Sequence, residues 1–203
     1  MRSRIETLLP KDKHRIENLN YEEVYIADWK DVDSTRGVEA TSYPPEINSV
    51  CLHNNNQVHI VFDAFADNAL PINKGVHNKQ CECVLFPLAN DDCNWVLFIE
   101  TKYARNSEFA FRKEHDYPSC MVNQIIETVD YFRRRSIIEE NRLVHALVSF
   151  PNLADDYNDR LFDALEGSEL SVDSIKLKYK IAIRGSNSAI VISDKRIKLK
   201  GDS

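Results

Sequence analysis

The chain has 203 residues, carries 26 Lys or Arg against 32 Asp or Glu for a net charge of −6, and contains 43% hydrophobic residues. That length can bury a sizeable core as one domain, and neither the composition nor the seven prolines suggest disorder. No apolar run is long enough to span a bilayer, Met1-Arg-Ser-Arg-Ile-Glu6 lacks the apolar segment of a secretion signal, and five cysteines, an odd number, suit a reducing compartment, so a cytoplasmic location with no membrane partner is expected.

In chain order, Lys11–Leu19 reads as a short helix, Glu23–Trp29 as extended, and Tyr43-Pro-Pro-Glu46 as a break. Gln57–Phe62 alternates Val58, Ile60 and Phe62 on one face, a strand pattern. Lys79–Phe86 and Trp95–Lys102 read as two strands, and the segment from Pro87 to Asn94, with its Asn-Asp-Asp cluster, as the turn that folds them into an antiparallel hairpin. Ser119–Arg135 places Val122, Ile125, Ile126, Val129 and Phe132 at steps of three or four, a helical stripe with Ser119 as its N-cap. Arg133-Arg-Arg135 at its C-terminus opposes the helix dipole and so needs no nucleic acid to explain it. Arg142–Phe150 is a further buried strand that ends at Pro151, and strand, helix, strand is the order of a right-handed crossover.

Asp155–Glu169 is acidic and helix-like, whereas Ile175–Lys200 holds eight Lys or Arg against one acid, Asp194. Within it Ile175, Leu177, Tyr179, Ile181 and Ile183 alternate with Lys176, Lys178, Lys180, Ala182 and Arg184, which predicts a strand with one basic face. Gly185-Ser-Asn-Ser188 then turns the chain into Ala189–Ser193, and Asp194-Lys195 turns it again before Ile197 and Leu199. A basic sheet tracking phosphates and an edge sheet kept soluble by lysines both account for this pattern.

The chemistry-bearing feature is the end of the Trp95–Lys102 strand. The apolar run Val-Leu-Phe-Ile closes on Glu100 and Lys102, two residues apart and therefore on one face. Folding the hairpin brings Glu82 beside Glu100. Two carboxylates about 4 Å apart repel by about 4 kcal/mol at an effective dielectric near 20, which invites a shared proton or a hard cation such as Mg²⁺ or Mn²⁺. An exposed Glu-X-Lys pair worth about 0 to 1 kcal/mol is the plain alternative. Asp63 competes with Glu82 as the first acid, and Asp91 or Asp92 do so less well because they lie in the turn.

An acid, a hairpin and then Glu-X-Lys at a strand end resembles the PD-(D/E)XK nuclease superfamily over roughly Lys79–Pro151. The resemblance implies an α/β, restriction-endonuclease-like αβββαβ core, its central mixed sheet flanked by helices, within a single nuclease-like domain. The core would span about residues 57–151, with an N-terminal embellishment over 1–56 and a C-terminal basic β-hairpin addition over 170–200. It also implies a hydrolase, an endo- or exonuclease that uses Mg²⁺ or Mn²⁺, with DNA rather than RNA as the expected substrate. Glu82 and Glu100 would be metal-binding and catalytic, the Thr101 carbonyl another metal ligand, and Lys102 the catalytic lysine. Gln124, on the following helix, matches a glutamine of the exonuclease-type branch; Tyr131 lies farther from it than in that branch and is not carried over. Glu82 departs from the family's usual aspartate, which keeps open a related module that only binds nucleic acid or a protein. An unrelated α/β interaction protein is a further alternative, and a homodimer is compatible with each of these.

Cys81-Glu-Cys83 resembles half a zinc site, though a pair of small buried residues explains it as well. With five glycines, no Gly-X-Ser-X-Gly and no glycine-rich phosphate loop, the sequence gives no support to nucleophilic or nucleotide-binding readings.

Overall fold

The computed structural model describes residues 1–30, 32–89, 94–104, 106–111, 117–153, 157–163, 165 and 170–199. Helix α1 (Arg2–Leu8) is followed by strands β1 (His14–Leu19), β2 (Glu23–Asp28), β3 (Val38–Thr41), β4 (Val50–His53) and β5 (Ile60–Phe65). A small pair, β6 (Pro71–Asn73) and β7 (Val76–His77), precedes β8 (Cys83–Pro87) and β9 (Leu97–Thr101). Then come α2 (Ser107–Ala110), α3 (Tyr117–Arg134), β10 (Val144–Ser149), α4 (Asn158–Asp163), α5 (Val172–Tyr179), β11 (Ile181–Gly185), β12 (Ser188–Val191) and β13 (Ile197–Leu199).

Two mixed sheets are stacked. The larger runs β1-β5-β8-β9-β10-β11, antiparallel as far as β9 and parallel from β9 to β11. The smaller runs β13-β12-β4-β2-β3, with β12 parallel to β4. Alternation sends successive side chains of the larger sheet to opposite layers. Val84, Phe98, Ala146 and Ile183 face α3, whose Met121, Val122, Ile125, Val129 and Phe132 form the matching stripe. Phe132 meets Phe65 and Phe98 edge to face at centroid distances of 6.0 and 5.5 Å. On the other side Phe62, Leu85, Leu97 and Leu147 pack against Val24, Ile26, Leu52, Ala189 and Leu199 of the smaller sheet. Each fully buried aliphatic or aromatic side chain contributes about 1.5–3 kcal/mol, so this second layer is an integral part of the core.

The chain is thus α/β with mixed sheets and helices flanking one side. The first fifty-six residues and the last thirty are not peripheral to it, because β2, β4, β12 and β13 together build the second sheet. Among the described residues, no helix is long and apolar enough to cross a membrane.

Three expectations are corrected. Residues 11–19 are not a helix: α1 ends before Pro10, and β1 then pairs antiparallel with β5, His14 opposite Phe65 and Leu19 opposite Ile60. Residues 175–184 are not one basic strand. Ser171 caps α5 by accepting a hydrogen bond from the Ser174 amide, and Ile175 alone of that helix is buried while Leu177 is 73% exposed. Lys180 then adopts a left-handed conformation, φ 52°, ends the helix, and lets β11 begin at Ile181. Lys176 and Lys178 lie two residues apart on a helix, about 200° around its axis, so Lys176, Lys178, Lys180 and Arg184 do not share one face. Cys81 and Cys83 are both buried as small core residues, and the third correction is that they do not share a strand face: they enter opposite cores across the break in register at Glu82. Burial pushes both thiols up, and entry into opposite cores keeps them from acting as two ligands of one ion.

The C-terminal hairpin forms as β12 and β13, Val191 opposite Ile197. Part of the acidic segment 155–169 is α4; Asp155, Asp156 and residues 166–169, like Asp91, Asp92 and Cys93, lie outside the described residues. Removing the α5 cap with Ser171→Ala should lower stability by about 0.5–2 kcal/mol in urea unfolding. A strand over this segment would make the substitution nearly neutral.

Candidate active site

Hairpin geometry places the acids. Cys83 pairs with Ile99 and Val84 with Phe98, and the Glu82 amide also bonds to Ile99 rather than to Glu100, so the register breaks at Glu82 in the manner of a β-bulge. Just ahead of β8, Glu82 is held between two strands: its amide donates to the Ile99 carbonyl of β9 at 3.0 Å, and its carbonyl accepts from the Phe65 amide of β5 at 3.0 Å. Lys102, two residues beyond Glu100, projects to the same side. Its Nζ lies 2.9 Å from Glu100 Oε1 and 3.4 Å from Glu82 Oε1. Glu82, Glu100 and Lys102 therefore come together.

Helix α3 holds the segment that delivers Glu82. Gln124 Nε2 donates to the Gln80 carbonyl at 2.8 Å, Thr128 Oγ1 accepts from the Cys81 amide at 2.8 Å, and Asn78 Nδ2 donates to the Glu127 carbonyl at 2.7 Å. Gln80 in turn accepts from the Ala69 amide and donates to the Ala66 carbonyl. Gln124 also lines the cleft, so it is a neighbour of the site as well as a brace for it. Tyr131 is buried in the helix-side core beneath Arg135 and does not line the cleft.

The cleft measures about 880 Å³ and is walled by Asp28, Lys30, Asp67, Gln80, Glu82, Thr101, Lys102, Tyr103, Tyr117 and Gln124 among others. Glu100 is fully buried behind this wall, and Lys102 Nζ stands between it and Glu82. Neither Glu100 oxygen accepts a well-formed hydrogen bond. Burial first, and the facing Glu82 second, push the Glu100 carboxyl up to about 8 against the pull of Lys102. Burial also raises the Glu82 carboxyl, while Lys102 and Lys30 oppose that shift. Burial pulls the Lys102 ammonium down, but the Glu100 and Glu82 carboxylates outweigh it and leave the net shift upward.

Sequence reasoning missed Asp28, Lys30 and Asp67. Lys30 Nζ lies 3.4 Å from Glu82 Oε2 and 3.1 Å from Asp67 Oδ1, and its amide donates to Asp28 Oδ1. Asp28 ends β2 in the smaller sheet, on the same face as the core residues Val24 and Ile26. Only the stacking of two sheets brings it to Glu82, and no spacing along the chain signals that.

Asp63, the competing acid, is fully buried and bonded to His14 Nδ1 at 3.0 Å, outside the cleft. Burial raises the Asp63 carboxyl against the pull of the His14 hydrogen bond, and the hydrogen bond to Asp63 raises His14 against its own burial. The three arginines at the end of α3 serve the fold. Arg133 donates to the carbonyls of Tyr179 and Arg142, Arg134 pairs with Asp130 at 2.9 Å, and Arg135 donates to the Pro71 carbonyl.

A second cavity of about 520 Å³ lies at the other end of β8, lined by residues such as Arg4, Phe86, Trp95 and Arg142. Arg4 and Arg142 already donate there to the Ser136 and Asn94 carbonyls, and among the described residues no carboxylate pair faces a lysine as in the cleft.

No family model, no curated protein and no solved structure matches this chain.

Proposed function

We propose that the protein is a metal-dependent nuclease that hydrolyses phosphodiester bonds, DNA in preference to RNA, on a restriction-endonuclease-like core. The observation that carries this reading is the convergence of Glu82, Glu100 and Lys102 at one end of the β8–β9 hairpin. The succession β5, β8, β9, α3 and β10, an antiparallel meander followed by a crossover to a parallel strand, supports the βββαβ part of the core.

The residues fit a hard divalent cation. Two buried carboxylates converge on Lys102, Glu100 Oε2 has no donor within hydrogen-bond reach, and the donor set is all oxygen. Glu82, Glu100 and the Thr101 carbonyl would hold Mg²⁺ or Mn²⁺, which supplies Lewis acidity toward a phosphoryl oxygen and a more acidic water. Lys102 then offers positive charge to the pentacovalent phosphate and a donor that orients the attacking water. Lys30 tethers the second Glu82 oxygen, and Gln124 fixes the backbone that carries Glu82. Both act as positioning residues.

One observation favours a second reading, a related module that binds nucleic acid or a protein without cutting. Lys102 and Lys30 already neutralise Glu82 from both sides, and a cation must compete with Lys102 for the Glu100 carboxylate. Labelled single- and double-stranded DNA and RNA incubated with pure protein, with and without Mg²⁺ or Mn²⁺, separates the two. Cleavage only with metal is the expected result, and metal-independent or absent cleavage of all four substrates rejects the nuclease.

The identity of the first acid is tested separately. Glu82→Gln should abolish cleavage through loss of charge, whereas Glu82→Asp should keep part of it. Asp63→Asn should cleave normally once folded, because Asp63 is engaged with His14. An inactive, folded Asp63→Asn beside an active Glu82→Gln would reverse the assignment.

A further inference from the structure

The outer face of the smaller sheet carries a second group of ligating side chains. Strands β2 and β4 pair with Glu23 opposite His53 and Tyr25 opposite Cys51. The intervening Val24, Ile26, Val50 and Leu52 point into the core, so Glu23, Tyr25, Cys51 and His53 all rise from the other face. Cys51 Sγ is 3.9 Å from His53 Nδ1, and His53 Nδ1 is 3.4 Å from Glu23 Oε1. One ligand atom from each of Glu23, Cys51 and His53 lies within 4.8 Å of the other two. Tyr25 donates its hydroxyl to Glu23 Oε2, which orients that carboxylate.

These separations suit tetrahedral coordination. Metal bonds of about 2.1 Å to nitrogen and oxygen place those two atoms about 3.4 Å apart, and a thiolate at about 2.3 Å sits about 3.6 Å from the nitrogen. The nitrogen and oxygen already have this spacing, the sulfur–nitrogen separation exceeds it by about 0.3 Å, and the sulfur–oxygen separation, within 4.8 Å, closes to about 3.6 Å on coordination. A thiolate with an imidazole selects a borderline-soft ion over Mg²⁺, which requires oxygen ligands.

We propose that Glu23, Cys51 and His53 bind a divalent transition-metal ion, Zn²⁺ by donor set, at a site distinct from the Lys102 cleft. Binding releases the Cys51 thiol proton to solvent and forms the metal–sulfur bond, with no redox change. Three protein ligands leave a fourth position for water or for the Tyr25 hydroxyl. The side chains of Glu23 and His53 are 45% and 42% exposed, so an ion reaches them without opening the core. Coordination would cross-link β2 to β4, and β2 leads directly to Asp28 and Lys30 of the cleft.

The test is titration of the full chain with Co²⁺ followed by optical absorption, and with Zn²⁺ in competition with a chromophoric chelator. One tightly bound Co²⁺ with tetrahedral d–d bands and a thiolate-to-cobalt charge-transfer band is expected. Cys51→Ser should lose the charge-transfer band. His53→Ala and Glu23→Gln should each weaken Zn²⁺ by about tenfold or more, the loss of a ligand costing at least as much as the loss of its supporting hydrogen bond. The Glu82→Gln, Glu100→Gln double variant should retain the band. No band in the wild-type protein, or one that survives Cys51→Ser, leaves only a surface Glu–His pair and overturns the proposal. Should Cys51→Ser fail to fold, alkylation of the wild-type thiols decides: Zn²⁺ must protect Cys51, and unchanged modification overturns the site.

Discussion

Lys102→Ala should slow metal-dependent cleavage by about 10²–10³-fold, the usual cost of removing one donor aimed at transition-state charge. Metal binding should survive, and tighten if anything, because the ammonium that competes for Glu82 and Glu100 is gone. Glu100→Ala should remove both metal binding and cleavage. The two variants together make a directional test, since a lysine that merely neutralised two acids would give no such split between binding and turnover. Calorimetric titration with Mn²⁺ and single-turnover cleavage of a labelled duplex are the two measurements. Wild-type cleavage by Glu100→Ala would end the nuclease assignment.

Glu100→Gln should make the metal-free protein more stable at alkaline pH. The Glu100 carboxyl is raised from an ordinary value of 4.5 to about 8 in the fold. A raised carboxyl takes up a proton on folding, so its contribution to stability is complete below its unfolded value and is lost as pH rises through its folded one. Glu82 is raised as well and adds in the same direction. The raised Lys102 and Lys30 change nothing until far more alkaline pH, because their unfolded values are near 10.5. Urea unfolding between pH 5 and 9 should therefore show wild-type stability falling toward pH 9 and a flatter profile for Glu100→Gln. The gap at pH 9 should be on the order of a few kcal/mol. Under the proposed metal site, Mg²⁺ or Mn²⁺ should raise the melting temperature of the wild type and not of the variant, because an ion that binds only the folded wild type stabilises it by mass action. Identical pH profiles for the two proteins would mean that Glu100 is not strained by burial.

Local signals carried the centre of the fold. The Val-Leu-Phe-Ile run before Glu100 reads as a doubly buried strand because both faces of β9 are covered, one by α3 and one by the smaller sheet. The stripe from Val122 to Phe132 reads as a helix because its apolar residues meet a single surface. Glu100 and Lys102 are legible as a pair since a strand puts alternate residues on one side whatever lies around it.

Where two periods compete, the chain is ambiguous until packing selects one. Ile175 and Tyr179 fit a helical step as well as an alternating one, and the Ser171 cap with the left-handed turn at Lys180 tipped α5 toward helix. Period two was then real only from Ile181 onward, in β11. At the N-terminus, residues 14–19 became β1 because β5 offers an edge to pair with, a partner no local pattern specifies.

The β8–β9 hairpin, the α3 crossover and the pairing of Glu100 with Lys102 are legible in the chain, because each follows from residue spacing along one stretch. Tertiary structure alone decided that Glu82 rather than Asp63 faces that pair, that Asp28 and Lys30 reach the cleft from a second sheet, and that Glu23, Cys51 and His53 meet. Those contacts join residues many positions apart through strand register and sheet stacking, and burial strengthens the charge interactions only at the cleft, where Glu82 and Glu100 are buried while Glu23 and His53 stay part-exposed.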